Sequence, residues 1–258
     1  MTISENRGNG LVQNHNADFG KFEYPDVETA SAGYAQRFSG PAGRFMLAVQ
    51  EQAVEALLDF GARSASVLDV GGGHGQLLGV YDRLGMRVSL HGSSPVCFQR
   101  LPRRHLDAVR QIVSLPHEIP LPDQSMDFVV CVRLLSHTEQ WRDLLAEMCR
   151  IARRAVVVDY PGKRSLNALT PLLFAVKKNV EKNTRSYQSF SNKEIKQAFQ
   201  DQGFPVFTPR PLFFLPMVVH RMGGGNAFFS LAEGFFRMTG MTRMFGSPVL
   251  ARASGRCG

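Results

Sequence analysis

The chain has 258 residues, 44% of them hydrophobic and 20% charged, with a formal net charge of +8. That length suits one large α/β domain whose core needs no staples, which excludes a small disulfide scaffold. Cys97, Cys131, Cys149 and Cys257 show no CxxC or other close spacing, so reduced thiols, no metal and a cytosolic compartment are expected. No signal-peptide pattern opens the sequence, and its longest uncharged runs fall short of the roughly 18 residues that span a bilayer, so a soluble protein is expected.

The positive charge invites a nucleic-acid reading. The basic residues, however, fall in small groups such as Arg100, Arg103 and Arg104, or Arg150, Arg153 and Arg154. They form no aromatic-interleaved stripe of the kind that stacks bases. Solvated helix faces and an anionic partner both remain open. For such a partner, a membrane surface or an acidic substrate fits as well as RNA.

Residues 1–30 are polar and aperiodic, and a flexible arm is expected. Residues 31–62 carry a helical pattern with Phe38, Phe45, Val49, Ala53 and Leu57 on one face. Gly40-Pro41 and Gly43 split it into two helices. Residues 63–160 then alternate short apolar runs with helical stretches, the pattern of a doubly wound parallel sheet.

The first apolar run, Val67–Val70, contains one acid, Asp69. Gly71, Gly72, Gly73, His74 and Gly75 follow at once, and Gln76–Leu84 reads as a helix stopped by Gly85. A strand, a glycine turn and a helix N-terminus bring backbone N–H groups close to a polar ligand, with no Cβ in the way. Strands are expected at Arg87–His91, Gln111–Ser114, Met126–Val132 and Ala155–Asp159. Ser94-Pro95 should cap a helix running to about Val109, and Thr138 another carrying Trp141, Leu144, Leu145, Met148 and Ile151 inward.

Downstream, Thr170-Pro171 reads as a helix start with Leu172, Leu173, Val176 and Val180 inward. Ser191-Asn192-Lys193-Glu194 reads as a capping box, stapled by Phe190 and Ile195 and closed by Gly203. Phe204–Phe207 and Ser247–Ala253 are strand candidates. Between them, residues 210–246 form an apolar insertion. Pro216 argues against a central strand there, and the run of phenylalanines and methionines is either core or a surface that binds something.

A dinucleotide fingerprint, GxGxxG, fails at Gln76. Asp69, Gly71, Gly73 and Gly75 instead meet the spacing Asp-x-Gly-x-Gly-x-Gly. This resembles the first motif of class I S-adenosylmethionine-dependent methyltransferases. Ile119–Val130 is similar to the family's "LPFPDxSFDxVV" segment, and Arg133–His137 to the "xxLEH" turn that follows. The resemblance covers about residues 64–160.

It implies a doubly wound, mostly parallel seven-stranded sheet and S-adenosyl-L-methionine as cofactor. Cofactor contacts are expected from Asp69, Gly71, Gly72, Gly73, His74, Gly75, His91, Gly92, Ser93, Leu115, Pro116, Arg133 and Leu134. Two positions depart from the family. The acid that usually closes the second strand and holds the ribose hydroxyls falls on Gly92, with His91 and Ser93 beside it, and no carboxylate is available there. The acid usually facing the adenine amino group falls on Leu115.

In methyl transfer the enzyme chiefly positions the acceptor, adding a base where the nucleophile must lose a proton. His137, just beyond the fourth core strand, is the candidate base. Asp159 and Tyr160, at the end of the next strand, are candidate substrate contacts. The acceptor must be held by residues 30–60, 161–190 and 210–246, which are apolar with basic edges. A hydrophobic or amphiphilic small molecule is therefore expected rather than nucleic acid, lipid-like, quinone-like or polyketide-like, with peripheral contact to a membrane. A non-catalytic methyltransferase-like scaffold and a nucleic-acid methyltransferase are the alternative readings.

Overall fold

The computed structural model describes residues 3–6, 11–14, 25–36, 38–58, 62–106, 108–165, 187–216, 219–220 and 227–255. Its centre is one sheet in the order β1-β2-β5-β4-β3-β6-β7-β9-β8. The seven core strands are β3 (Ser66–Val70), β4 (Arg87–Gly92), β5 (Arg110–Val113), β6 (Met126–Cys131), β7 (Ala152–Tyr160), β8 (Val206–Pro211) and β9 (Val249–Ser254). Strands β3 to β7 pair in parallel, while β9 runs antiparallel to both β7 and β8. This is the mostly parallel seven-stranded sheet expected from the sequence.

Within residues 1–30, where a flexible arm is expected, the described segments 3–6, 11–14 and 25–30 are ordered into strands and a helix. Strands β1 (Ile3–Asn6) and β2 (Leu11–Asn14) form an antiparallel hairpin, and β2 extends the sheet by pairing in parallel with β5. Helix α1 (Pro25–Thr29) follows. An edge strand recruits partners through backbone groups, so polar residues join the sheet without the apolar periodicity that would announce them.

Alternation along the buried strands feeds two cores. Val67, Phe128, Val130, Ala155 and Val157 face one, covered by α3 (Gly40–Leu58) and α4 (Leu78–Leu84). Leu68, Val70, Val129, Cys131, Val156 and Val158 face the other, covered by α6 (Trp141–Ile151) and α7 (Asn192–Asp201). Successive strand side chains point to opposite faces, so a run apolar at every position can only lie between two covered layers.

Helix boundaries follow the local chemistry. Gly85 adopts φ 64° and closes α4, and α2 (Ala32–Gln36) is separated from α3 at Gly40 with φ 85°. The Ser191 capping box forms as expected, with Phe190 and Ile195 buried beside it. Two helix expectations are corrected. Ser94 accepts a hydrogen bond from Val96 N, but it opens only a 3-10 turn, Pro95–Phe98, followed by the short α5 (Arg103–Leu106). Pro102 interrupts the run, since it has no N–H and crowds the preceding turn. Thr138 does not cap α6, because its hydroxyl donates to Leu134 O at 3.1 Å.

The insertion between the last two strands carries α8 (Ala227–Met238) and α9 (Met241–Phe245). It is pinned by Glu233, whose carboxylate accepts Phe214 N at 3.0 Å and Leu215 N at 2.9 Å and lies 3.1 Å from His220 Nε2. His220 in turn packs on Phe45 of α3, their ring centroids 5.8 Å apart. The helix expected from Thr170 lies outside the described residues. None of the described helices is long and apolar enough to cross a membrane. Cys97, Cys131 and Cys149 are buried free thiols, and Cys257 lies outside the described residues.

Candidate active site

The parallel strands all end on one side of the sheet, and the predicted site residues gather there. At the end of β3 the chain turns through Gly71 (φ 75°) and Gly75 (φ 72°), a left-handed backbone that glycine adopts without strain. Crowding explains the glycines between them. A Cβ on Gly72 would lie 2.2 Å from Asp69 Cγ, and one on Gly73 would lie 2.8 Å from Cys97 Cβ. The turn is therefore packed from below by Asp69 and from the side by the 3-10 turn after β4.

Asp69 is buried, and burial pushes its carboxyl up to about 7, against the opposing pull of Tyr81 and Arg133. The Tyr81 hydroxyl faces this carboxyl without completing a well-aligned hydrogen bond. His74, within the turn, is pushed down to about 4 by burial and by the nearby Arg133 and Arg100. Its imidazole is neutral at neutral pH, and its Nδ1 is buried without a hydrogen-bond partner.

At the end of β4 the predicted residues divide. His91 is fully buried, and its Nε2 lies 3.0 Å from Ser114 O and 3.2 Å from Ser114 Oγ, so it ties β4 to the chain after β5. Gly92 has no room for a side chain: a Cβ there would lie 2.7 Å from Cys97 Cβ and 3.1 Å from the Phe98 ring. Leu115 is half-buried and Pro116 is buried. Ser93 is different, because its N–H and its hydroxyl both donate at 2.6 Å to the carboxylate of Asp26. The expectation that no carboxylate reaches this strand end is thereby corrected. One arrives from α1, 67 residues away in sequence.

The ends of β6 and β7 form a second group. Arg133 holds φ 63°, an uncommon conformation for a non-glycine residue. Its backbone N–H donates to Asp159 Oδ1 at 2.6 Å, and its guanidinium lies 4.9 Å from the centre of the Phe38 ring and 5.5 Å from that of Tyr34. Its Nε is buried without a hydrogen-bond partner. Burial pushes Asp159 up to about 6, opposed by Arg133. Asp159 also accepts Gln50 Nε2 at 3.2 Å, and Gln50 Oε1 accepts Gln76 Nε2 at 3.3 Å. A chain of polar contacts thus runs from the residue after the glycine turn to the end of β7.

Beyond Asp159 opens a cavity of about 430 Å³. Tyr34, Phe38, Met46, Leu47, Leu212 and Phe213 line its apolar wall, and Gln50, Arg133, Ser136, His137 and Asp159 supply its polar groups. His137 is half-buried, with its ring centroid 5.5 Å from that of Tyr187. Tyr160 lines the cavity while its hydroxyl donates to Asn192 Oδ1 at 3.0 Å. Leu134 packs instead under the glycine turn, its Cδ2 2.9 Å from where a Gly71 Cβ would be. Asp26, Gln50, Tyr34 and Phe38 were not anticipated as site residues. The only sequence signal for Asp26 is its place beside Pro25 in an acidic first helical turn.

A glycine turn at the first strand of a 5-4-3-6-7-9-8 sheet, with a cavity beside its strand ends, is the arrangement of a class I S-adenosylmethionine-dependent methyltransferase. The methyltransferase-domain family matches residues 42–208, more than half of the chain, and the chain belongs to that family. No curated protein sequence matches it significantly.

Solved structures of similar fold include a SAM-dependent methyltransferase from Thermotoga maritima, with TM-score 0.62 and 17% identity over 89% of this chain and 98% of that one. Magnesium protoporphyrin IX methyltransferase from Synechocystis PCC 6803, solved with bound SAH, gives TM-score 0.60 and 15% identity over 88% and 96%. Geranyl diphosphate C-methyltransferase from Streptomyces coelicolor A3(2) gives TM-score 0.51 and 18% identity over 75% and 70%. The protein is an enzyme of this class, and its cofactor is S-adenosyl-L-methionine.

Proposed function

We propose that the enzyme methylates a small hydrophobic or amphiphilic molecule held in the cavity beside Asp159. The observation that carries this is the cavity itself, enclosed mostly by aromatic and aliphatic side chains, with a few polar groups gathered at the strand ends. Such a lining rewards burial of apolar surface and leaves the polar groups to fix orientation. Two structural neighbours of the same fold act, by name, on a porphyrin and on geranyl diphosphate.

The residues at the strand ends fit the cofactor. His74 Nδ1, within the glycine turn, and Arg133 Nε, after β6, are buried nitrogens without hydrogen-bond partners. When bound, S-adenosylmethionine supplies a methyl group already activated on a sulfonium, so the protein's task is chiefly positioning. Arg133, stacked on Phe38 and Tyr34 and fixed through Asp159, holds the border between the cofactor and acceptor halves. His137 lines the acceptor cavity and takes the proton from an acceptor hydroxyl or amine. Asp159 and Tyr160 bound the acceptor on the β7 side.

A lipid-like acceptor also suits the outer face of the insertion. Leu231, Phe235 and Met238 stand on one face of α8 at 74%, 58% and 87% exposure, and exposed Met244 lies on α9. Arg237 and Arg243 flank them, which suits contact with an anionic membrane surface.

The test is methyl transfer from labelled cofactor to a panel of quinols, polyketide-like phenols, lipids, RNA and protein, with products identified by mass. Label in an apolar acceptor that also raises the melting temperature is expected. Label confined to RNA or protein would overturn the reading.

A further inference from the structure

The carboxylate of Asp26 is fully buried although it belongs to a five-residue helix near the start of the chain. Burying a carboxylate carries a desolvation cost that must be met by donors, and three converge on it. Ser93 N and Ser93 Oγ donate at 2.6 Å each, and Cys97 Sγ lies at 3.5 Å. Burial pushes the Cys97 thiol up to about 12, so it keeps the proton it donates. Arg100 anchors the same segment by donating to Ala30 O at 3.4 Å and Ser31 O at 3.0 Å.

The location matters more than the burial. Asp26 stands over the glycine turn, its Cβ 3.5 Å from where a Gly71 Cβ would be, and it meets β4 at the residue after Gly92. Gly92 itself cannot carry an acid, since Cys97 and Phe98 occupy the space. The strand end has no room for a carboxylate of its own and presents two donors that grip one from elsewhere.

We propose that Asp26, delivered by α1 and held by Ser93, is the carboxylate that receives the ribose hydroxyls of the cofactor. This rests on the reading that the cofactor lies along the glycine turn. Helix α1 is then part of the cofactor site, held there through Asp26 and through the bonds of Arg100 to Ala30 and Ser31.

The experiment is calorimetric titration of the full chain with S-adenosylhomocysteine and with its 2′-deoxy and 3′-deoxy analogues, for wild type, Asp26→Ala and Asp26→Asn. Wild type is expected to prefer the parent ligand over at least one deoxy analogue by about tenfold or more, as for loss of a charge-assisted hydrogen bond. Asp26→Ala should weaken the parent ligand by about tenfold to a hundredfold and lose that preference, with Asp26→Asn between the two. Circular dichroism checks that the variants are folded. If Asp26→Ala does not fold, the wild-type preference and the Asp26→Asn variant still decide.

Indifference of wild type to the ribose hydroxyls overturns the proposal. So does unchanged or tighter binding in either variant, the latter marking Asp26 as a plug, or a weakened variant that keeps the wild-type preference. Failure of wild type to bind the parent ligand at all sinks the glycine-turn reading, and this proposal with it.

Discussion

The two halves of the site are built in opposite ways. On the β3–β4 side, the glycine turn is packed from below by Asp69 and from the side by Cys97, so that a single added Cβ meets an atom at 2.2 Å at Gly72 and at 2.8 Å at Gly73. On the β6–β7 side, side chains from α2, α3, the β6 loop and the C-terminal insertion surround about 430 Å³ of space. The difference fits the roles proposed for the two halves. A constant cofactor can be met by backbone at fixed distance, whereas an acceptor needs a volume whose walls are interchangeable side chains. The Gln76–Gln50–Asp159–Arg133 chain joins the two.

Breaking the rigid half should give the largest effect. In Gly73→Val the new Cβ meets Cys97 Cβ at 2.8 Å and the Cys97 carbonyl oxygen at 3.0 Å, forcing the β3 and β4 turns apart. Overpacking of this kind costs about 1–3 kcal/mol of stability, and calorimetry is expected to show no cofactor binding in a protein that still folds. The corresponding break in the acceptor half is Glu233→Ala. It removes the carboxylate that accepts the N–H groups of Phe214 and Leu215 and faces His220, at about 1–3 kcal/mol for each buried donor left unsatisfied. The melting temperature should fall, and acceptor protection should vanish while cofactor binding persists in the folded protein. Joint loss of both bindings would show that the halves are not separable.

His137→Gln sharpens the comparison without disturbing either wall. It should lower kcat by about a hundredfold or more for an acceptor that must lose a proton, and leave cofactor affinity unchanged in calorimetry. An unchanged kcat would assign His137 to packing.

Asp159→Asn tests the junction. The new amide donor faces Gln50 Nε2, which should cost about 1–3 kcal/mol. The pH dependence has a definite sign. Burial raises the Asp159 carboxyl from 3.8 to about 6 in the folded protein. The proton is therefore held more tightly folded than unfolded, and this contribution is full below about pH 3.8 and lost as pH rises through about 6. The penalty of Asp159→Asn, read from melting temperatures across this range, should be largest near pH 4 and shrink toward pH 7. A penalty that grows with pH would contradict the burial argument.

The smallest effect on the fold is expected at the outer face of the insertion. Phe235→Ser with Met238→Ser alters side chains that are 58% and 87% exposed, so stability should change by no more than about 0.5 kcal/mol per site. Flotation with anionic liposomes should nevertheless drop. Equal flotation of variant and wild type would remove the membrane from the picture.

How much was legible in the sequence follows the same division. The glycine turn, the buried strands, the Ser191 capping box and the Gly85 stop are all local, because each is set by backbone conformation or hydrogen bonds within a few residues. The polar strands β1 and β2 were not legible, since an edge strand is held by backbone pairing that leaves no mark in hydropathy. The helix expected to run from Ser94 to about Val109 breaks into a 3-10 turn and a short helix because Pro102 lacks an N–H and crowds the preceding turn.

By itself, the sequence determined the fold class, the place of the glycine turn and the family, because contiguous residues carry short-range conformational rules. Only the tertiary structure decided that Gly92 has no space for an acid, that Asp26 takes up position beside it, and that Gln50 and Phe38 join Arg133 and Asp159. Those pairings bridge 26 to 109 positions along the chain. Packing in three dimensions, which no local spacing encodes, is what brings them together.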